Sequence, residues 1–250
     1  MIVLRQATLF GIDDKVKQAI DFIKRNEPNE GYFVAFSGGK DSVVVYDLVK
    51  KAGVKFKAYY AATQIDPPEL THFIHKYYPD VEWLFPEESI FKVIPKKGFP
   101  TMIRRWCCDY LKKRPTRKIP LKHRIVGVRA QESWRRAREK DNPSRIGKYF
   151  IYKPIYNWHE FEVWEYIRKN KLPYCRLYDE GFSRIGCVIC PFLSYEKHFK
   201  NRKRWPQHYR AFEKAMRSLW EKRDKYRVRK QGYNWSFREY LDRWYLRLKC

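Results

Sequence analysis

Apolar residues along this chain fall into short runs parted by polar turns, and the runs alternate between two periods. Residues 12–25 set Val16, Ala19, Ile20 and Ile23 on one side of a 3.6-residue repeat, which predicts an amphipathic helix. Tyr32-Phe33-Val34-Ala35-Phe36 is an unbroken apolar run of strand length. A second amphipathic stretch follows, carried by Val43, Val44, Val45, Leu48 and Val49. Residues 56–61 read as another strand whose loop ends at Pro67-Pro68; 69–78 predicts a helix and 81–85 a third strand. Residues 123–128 form a further strand running into Arg129, and 158–169 a short helix with Phe161, Val163, Trp164 and Ile167 inward. Strands alternating with helices imply an α/β chain, a doubly wound parallel sheet with helices on both faces.

From about residue 195 the pattern becomes basic helix laced with aromatics. Trp205, Phe212, Met216, Leu219, Trp220, Trp235, Phe237, Tyr240, Leu241, Trp244 and Leu248 recur at helical intervals. That stripe reads as packing and not as a base-stacking platform. The expected organisation is therefore a nucleotide-binding domain over 1–194 and a basic helical extension over 195–250. The chain shows no internal repeat, low-complexity segment or obvious linker.

The turn after the first strand is Ser37-Gly38-Gly39-Lys40-Asp41-Ser42. A strand, a glycine turn and a helix start together make a phosphate cradle. Gly38 and Gly39 let backbone approach phosphate oxygens because no Cβ intervenes. The N–H groups at the helix start, with the helix dipole, favour an anion. Lys40 adds a cation, and Ser37 and Ser42 add hydroxyl donors. A carboxylate beside phosphate is repulsive, so Asp41 reads as an N-terminal cap or a magnesium contact. The Gly-x-x-x-x-Gly-Lys spacing of a Walker A loop is absent. In parallel sheets of this kind ligands bind beyond the carboxyl ends of the strands, where this turn lies.

Charge narrows the partners. The chain has 54 Lys and Arg against 28 Asp and Glu, a net charge of +26. Residues 102–148 hold 16 basic and 4 acidic side chains, and 196–250 hold 18 and 6. Such local excess attracts polyanions, of which nucleic acid is the commonest large one. No apolar stretch approaches the ~18–20 residues that span a bilayer, and the opening Met-Ile-Val-Leu-Arg-Gln lacks the apolar core of a secretory signal. The expectation is a cytoplasmic protein without a membrane partner.

In that compartment six cysteines argue for metal or redox chemistry and against structural disulfides. Cys107 and Cys108 are adjacent; Cys187 and Cys190 form a Cys-x-x-Cys after Gly186; Cys175 and Cys250 stand alone. Four thiolates in two pairs can bind zinc or an iron–sulfur cluster. A vicinal pair suits a small tetrahedral ion poorly, whereas a cubane offers more widely spaced attachment points, which favours 4Fe–4S. Buried free thiol is the plainer reading of Cys175. Arg104, Arg105, Lys112, Lys113 and Arg114 flank the vicinal pair. They would offset a cluster's negative charge or bind phosphate or sulfate beside it.

Several strings taken together resemble known proteins. The 37–42 turn resembles the PP-loop of the adenine-nucleotide alpha-hydrolase superfamily. Arg105-Trp106-Cys107-Cys108-Asp109-Tyr110-Leu111-Lys112 resembles the cluster segment of phosphoadenosine and adenosine phosphosulfate reductases. Gly127-Val128-Arg129-Ala130-Gln131-Glu132-Ser133, with Arg135 and Arg136, is similar to their phosphate-binding stretch. Pro154-Ile155 with Trp158, Val163 and Trp164, and the segment from Leu177-Tyr178-Asp179 to Ile185-Gly186-Cys187-Val188-Ile189-Cys190, resemble two further motifs. The likeness runs over about residues 32–192. It implies a Rossmann-like, adenine nucleotide alpha-hydrolase-like fold. It also implies an adenine nucleotide held by Ser37, Gly38, Gly39, Ser42, Gly127, Glu132, Ser133 and Arg136, and a 4Fe–4S cluster on Cys107, Cys108, Cys187 and Cys190. The loop carrying Thr63, Asp66 and Glu69 is expected to pass near the adenosine.

Two departures bear on activity. Reductases of this kind often degrade the PP-loop, whereas it is intact here. Their nucleophilic Glu-Cys-Gly-Leu-His tail is missing, and the chain ends instead on Arg247-Leu248-Lys249-Cys250. The favoured expectation is an enzyme that takes ATP with magnesium, adenylates a nucleic acid (DNA or tRNA) and inserts sulfur, with a sulfur or electron donor protein as a further partner. Lys40, Asp41 and Arg129 would serve catalysis. The alternative is reduction of adenosine phosphosulfate or its 3′-phosphorylated form to sulfite, with Cys250 as nucleophile. A redox-sensing, non-catalytic binding subunit is the third class.

Overall fold

The computed structural model describes residues 5–8, 11–139 and 142–246. Two compact units emerge, each built from separated stretches of chain. One comprises Met1–Ala61, Pro68–Leu84 and Ile119–Ile185; the other comprises Ala62–Pro67, Phe85–Lys118 and Gly186–Cys250.

The first unit opens with the hairpin of β1 (Arg5–Thr8) and β2 (Gly11–Asp14). Its centre is a six-stranded sheet made of β3 (Tyr32–Ala35), β4 (Phe56–Ala61), β5 (Glu82–Leu84), β6 (His123–Ile125), β7 (Ser144–Ile146) and β8 (Tyr149–Tyr152). The order is β5-β4-β3-β6-β8-β7. All neighbours are parallel except β7, which runs antiparallel on β8 at the edge. The α/β class and the mostly parallel sheet read from the alternating pattern are thus present.

The strand run on Tyr32, Phe33 and Val34 lies between β4 and β6, and these side chains are at most 2% exposed. A strand covered on both faces needs apolar residues at every position, which is why it reads as a run and not an alternation. The Lys40–Ala52 helix is apolar on most sides for the same reason, with Val43, Val44, Val45, Leu48 and Val49 all fully buried. It packs against the Lys15–Arg25 and Glu160–Lys169 helices.

The Glu160–Lys169 helix corrects one expectation. Val163 and Ile167 are buried, but Phe161 is 51% exposed and stacks on His159 with ring centroids 5.5 Å apart. Its inner place is taken by Glu162 and Tyr166. Glu162 is fully buried because its carboxylate is fully engaged. It accepts the His159 N–H at 2.7 Å, capping the helix, and the Lys15 ammonium at 2.7 Å.

In the second unit the Ile90–Lys97 helix packs on Pro206–Leu219, bringing Ile90, Val93 and Ile94 to a core shared with Phe212, Met216 and Leu219. Phe212 meets Trp244 at 4.6 Å, Trp220 meets Tyr240 at 4.8 Å, and the Trp244 indole donates to the Pro100 carbonyl at 2.8 Å. Most of the aromatic stripe is packing, as its spacing suggested; Trp235 and Phe237 are only partly buried, and Leu248 lies outside the described residues. Among the described residues no helix is long and apolar enough to cross a membrane.

Candidate functional site

The strand order turns back at β3, with β4 on one side and β6 on the other, and in sheets of this kind ligands bind beyond the carboxyl ends of the strands at that point. The glycine turn leaves β3. Gly38 adopts φ +70°, a conformation open to glycine, and a Cβ there would lie 2.6 Å from Leu70 Cδ1 and 2.8 Å from Ile74 Cδ1. Gly39 is the N-cap of the Lys40–Ala52 helix. Of the two roles expected for Asp41, a cap or a magnesium contact, the cap falls to Gly39; Asp41 lies inside the first turn. Ser42 Oγ ties the turn together. It donates to the Gly39 carbonyl at 2.8 Å and accepts from the Ser37 N–H at 3.2 Å and the Ser37 hydroxyl at 3.1 Å.

Lys40 is only 5% exposed. Its ammonium donates to the Ser183 carbonyl at 3.3 Å and stands 3.2 Å from Glu160 Oε1 and 3.8 Å from Asp41 Oδ2. Its backbone N–H donates to the Tyr178 hydroxyl at 2.9 Å. An oxygen thus sits at the helix start, where the dipole favours it. Burial pushes the Tyr178 hydroxyl pKa up, so this oxygen stays neutral at ordinary pH.

The segment leaving β6 closes the other side. Gly127 passes so near the helix start that a Cβ would lie 2.9 Å from the Asp41 carbonyl carbon and 3.1 Å from the Ser42 nitrogen. These are backbone atoms and cannot swing aside. Arg129, 4% exposed, donates through Nε to Asp41 and through Nη1 to Gln131 Oε1 at 2.9 Å. Asp41 is flanked by two cations, Lys40 and Arg129. Glu132 accepts the Arg129 N–H at 3.1 Å and pairs with Arg136, whose own N–H donates to Ser133 Oγ at 3.3 Å. The structure thus draws Ser37, Gly38, Gly39, Lys40, Asp41, Ser42, Gly127 and Arg129 together, with Glu132, Ser133 and Arg136 as an adjoining hydrogen-bonded group. Sequence reasoning gave no role to Glu160 or Gln131, whose Oε1 also accepts the Glu160 N–H at 2.8 Å. Tyr178 lies within one of the resembling motifs, but no local signal pairs it with Lys40, which lies 138 residues away.

The second unit holds the paired cysteines. Cys107 and Cys108 share a hydrogen bond, which holds the Cys107 thiol well above and the Cys108 thiol well below the usual range. Arg105 and Lys112 further lower Cys108. Charge on Cys187 and Cys190 also acts on Cys107, so both pairs lie within one electrostatic neighbourhood. Desolvation pushes Cys187 up to about 11, against Lys112, which favours its thiolate. Lys112 in turn is raised by Cys187 first, and then by Asp66, Cys108 and Cys190. Thr63 and Asp66 belong here: Cys187 Sγ lies 3.8 Å from Thr63 Oγ1, and the Thr63 N–H donates to Asp66 at 2.8 Å.

The 187–190 turn is braced through Val188. Its N–H donates to the Ile65 carbonyl at 2.7 Å, and its carbonyl accepts from Asn201 Nδ2 at 2.9 Å and the Tyr209 hydroxyl at 3.2 Å. Among the described residues no group of three or more His, Cys, Asp or Glu is arranged to hold a metal ion. Cys175 is fully buried in the first unit and its thiol is raised by burial. Cys250 lies outside the described residues, as does the side chain of Arg135.

Comparison with known proteins adds a family. Residues 31–193 match the profile of the phosphoadenosine phosphosulfate reductase domain. The chain is 30% identical over 225 residues to an uncharacterized protein of Methanocaldococcus jannaschii, covering 84% of this chain and 47% of that one. It is 26% identical over 215 residues to the adenosine 5′-phosphosulfate reductase of Geobacillus kaustophilus, covering 78% and 88% respectively. A phosphoadenylyl-sulfate reductase of Candida auris, solved as a phosphate complex, has the same fold (TM-score 0.52, 18% identity, 69% of this chain and 87% of that one). The chain spans about half the length of two M. jannaschii proteins it matches, 47% and 51%.

Proposed function

Since this chain belongs to the phosphoadenosine phosphosulfate reductase family, we propose that it is an adenine-nucleotide enzyme of sulfur chemistry that cleaves ATP to adenylate a nucleic-acid acceptor for sulfur insertion. The observation that carries this reading is the complete cradle after β3. It combines a glycine at φ +70°, two linked serine hydroxyls and a buried ammonium at one helix start. An acceptor oxygen attacks the α-phosphorus, the bond to the β-phosphate oxygen breaks, and pyrophosphate leaves. Lys40 and the amides of the turn stabilise the charge that develops on the leaving group. Arg129 exchanges its contact with Asp41 for a phosphate oxygen, which frees the Asp41 carboxylate for magnesium. A sulfide-level donor then displaces AMP from the acceptor. The +26 charge supports a polyanionic acceptor.

The chemistry of the cysteines supports a 4Fe–4S cluster. Four soft thiols in one electrostatic neighbourhood, beside Lys112 and Arg105, are donors that such a cluster takes. The indole N–H of Trp106, next in the chain to Cys107, is buried without a hydrogen-bond partner, a donor for an added acceptor. Cys107, Cys108, Cys187 and Cys190 would hold it, and when bound it would supply sulfur ligation or electrons. Anaerobic reconstitution with iron and sulfide is expected to give a brown protein with a broad band in the blue, lost in Cys187→Ser. A colourless protein that takes up zinc instead would sink this assignment.

A second reading, reduction of a sulfonucleotide, is favoured by the likeness to adenosine 5′-phosphosulfate reductase along 88% of that protein. One anaerobic experiment separates the two. With ATP, magnesium and nucleic acid, AMP and pyrophosphate are expected at a rate that depends on the nucleic acid. Sulfite formed from adenosine phosphosulfate and a thiol, and abolished by Cys250→Ser, would establish the reductase and overturn the ATP reading.

A further inference from the structure

Most aromatics of the second unit are core, but three beside the Cys-x-x-Cys are not. Phe192, Tyr195 and Phe199 are 49%, 52% and 52% exposed. Tyr195 and Phe199 lie one turn apart on the Tyr195–Arg204 helix, about 6 Å along its axis, and so share a face. Single exposed rings are ordinary on a protein surface; three within eight residues, interleaved with cations, are not. The Arg105 guanidinium lies 4.7 Å from the Phe192 ring centre and the Lys203 ammonium 4.6 Å from that of Phe199. The helix carries five Lys or Arg against Glu196 alone, and Lys197, Lys200, Lys203 and Arg204 are exposed.

The opposite side of this helix is anchored. His198 and Asn201 are its buried residues; His198 Nδ1 meets the Tyr209 hydroxyl at 2.9 Å, and Asn201 holds the Val188 carbonyl inside the 187–190 turn. One element therefore braces the cysteine turn with its inner face and shows rings and cations on its outer face. An apolar protein partner would not call for this density of charge. An acidic surface would not call for the rings. Unpaired bases with their phosphates answer both, because every base has a face that stacks and a phosphate that pairs with Lys or Arg.

We infer that Phe192 and the outer face of the Tyr195–Arg204 helix form a stacking platform for an unpaired nucleic-acid strand. The inference rests on the nucleic-acid branch of the function proposed above. It places the acceptor on the element that braces the cysteine turn.

The test is fluorescence anisotropy of the full chain, without ATP, against labelled single-stranded RNA, single-stranded DNA, a duplex of equal length, and heparin as a polyanion without bases. Each of Phe192→Ala, Tyr195→Ala and Phe199→Ala is expected to weaken single-strand binding about five- to one hundred-fold. Heparin binding should be unchanged, and Phe199→Trp should bind as the parent does. Lys200→Gln should lower the slope of log affinity against log salt by roughly 0.7. The tighter of the RNA and DNA arms names the acceptor polymer. Unchanged affinity in the triple alanine variant, an equal loss toward heparin, or a duplex bound as tightly as the single strand would overturn the platform. Unaltered melting of the variants excludes misfolding as the cause. Strand binding through these rings with no pyrophosphate release under any condition overturns the ATP reading and leaves the platform. Strand-stimulated pyrophosphate release that persists in the triple variant does the reverse.

Discussion

Lys40→Ala will lower the formation of AMP and pyrophosphate by about 100- to 1000-fold, the usual cost of removing one preorganised group from a developing negative charge. The ammonium is 5% exposed and held by the Ser183 carbonyl and Glu160, so it needs no reorganisation when pyrophosphate departs. Alanine is a good helix former at a first-turn position, so melting should shift little. Lys40→Arg should not restore the rate, since a forked guanidinium does not fit the space of a compact ammonium. Single-turnover measurement at saturating ATP reads the chemical step. A rate within tenfold of the parent in Lys40→Ala would remove the lysine from the proposed mechanism.

Gly38→Ala will destabilise the chain by about 2–5 kcal/mol, the sum of a left-handed backbone and an overpacked contact. The new methyl would press on Leu70 and Ile74, which are 3% and 0% exposed and have no room to yield. Gly53 is the control. It has a similar φ of +68°, yet a Cβ there meets nothing within 4 Å. Gly53→Ala should therefore cost only the backbone part, about 1–2 kcal/mol. Urea unfolding of the two variants separates conformational strain from steric pressure. Equal losses would show that the turn is not packed against the Pro68–Tyr77 helix as described.

The central strands and the helices around them were legible because burial on both faces writes unbroken apolar runs, as in β3 and the Lys40–Ala52 helix. The edge was not. β7 is Ser-Arg-Ile, polar because one side meets solvent, and its partner β8 is only four residues long. Residues 123–128 have the pattern of one strand, but the ladder to β8 ends at Ile125 and only the Val126 N–H continues it, to the Tyr152 carbonyl at 3.0 Å. Phe161 faces outward because a carboxylate, Glu162, takes the inner face once a lysine and a backbone amide satisfy it, which helical periodicity does not show.

At the cradle the turn itself could be read from adjacent residues, since spacing within six positions fixes what backbone can do. The partners that set Lys40 could not. Glu160, Tyr178 and Ser183 reach it only through the return of the chain, and nothing near them in the sequence marks them as its neighbours. The same holds for Asp41, whose role turned on Arg129, 88 residues further on. Most of the aromatic stripe from Trp205 onward is legible as packing, but nothing in the sequence marks Phe192, Tyr195 and Phe199, which precede it, as exposed.

The doubly held Val188 carbonyl sets a limit on how this protein can change. Its two donors come from consecutive helices, Tyr195–Arg204 and Pro206–Leu219, which together splint the cysteine turn. Trimming either the amide or the phenol would leave the knuckle with one tether in place of two.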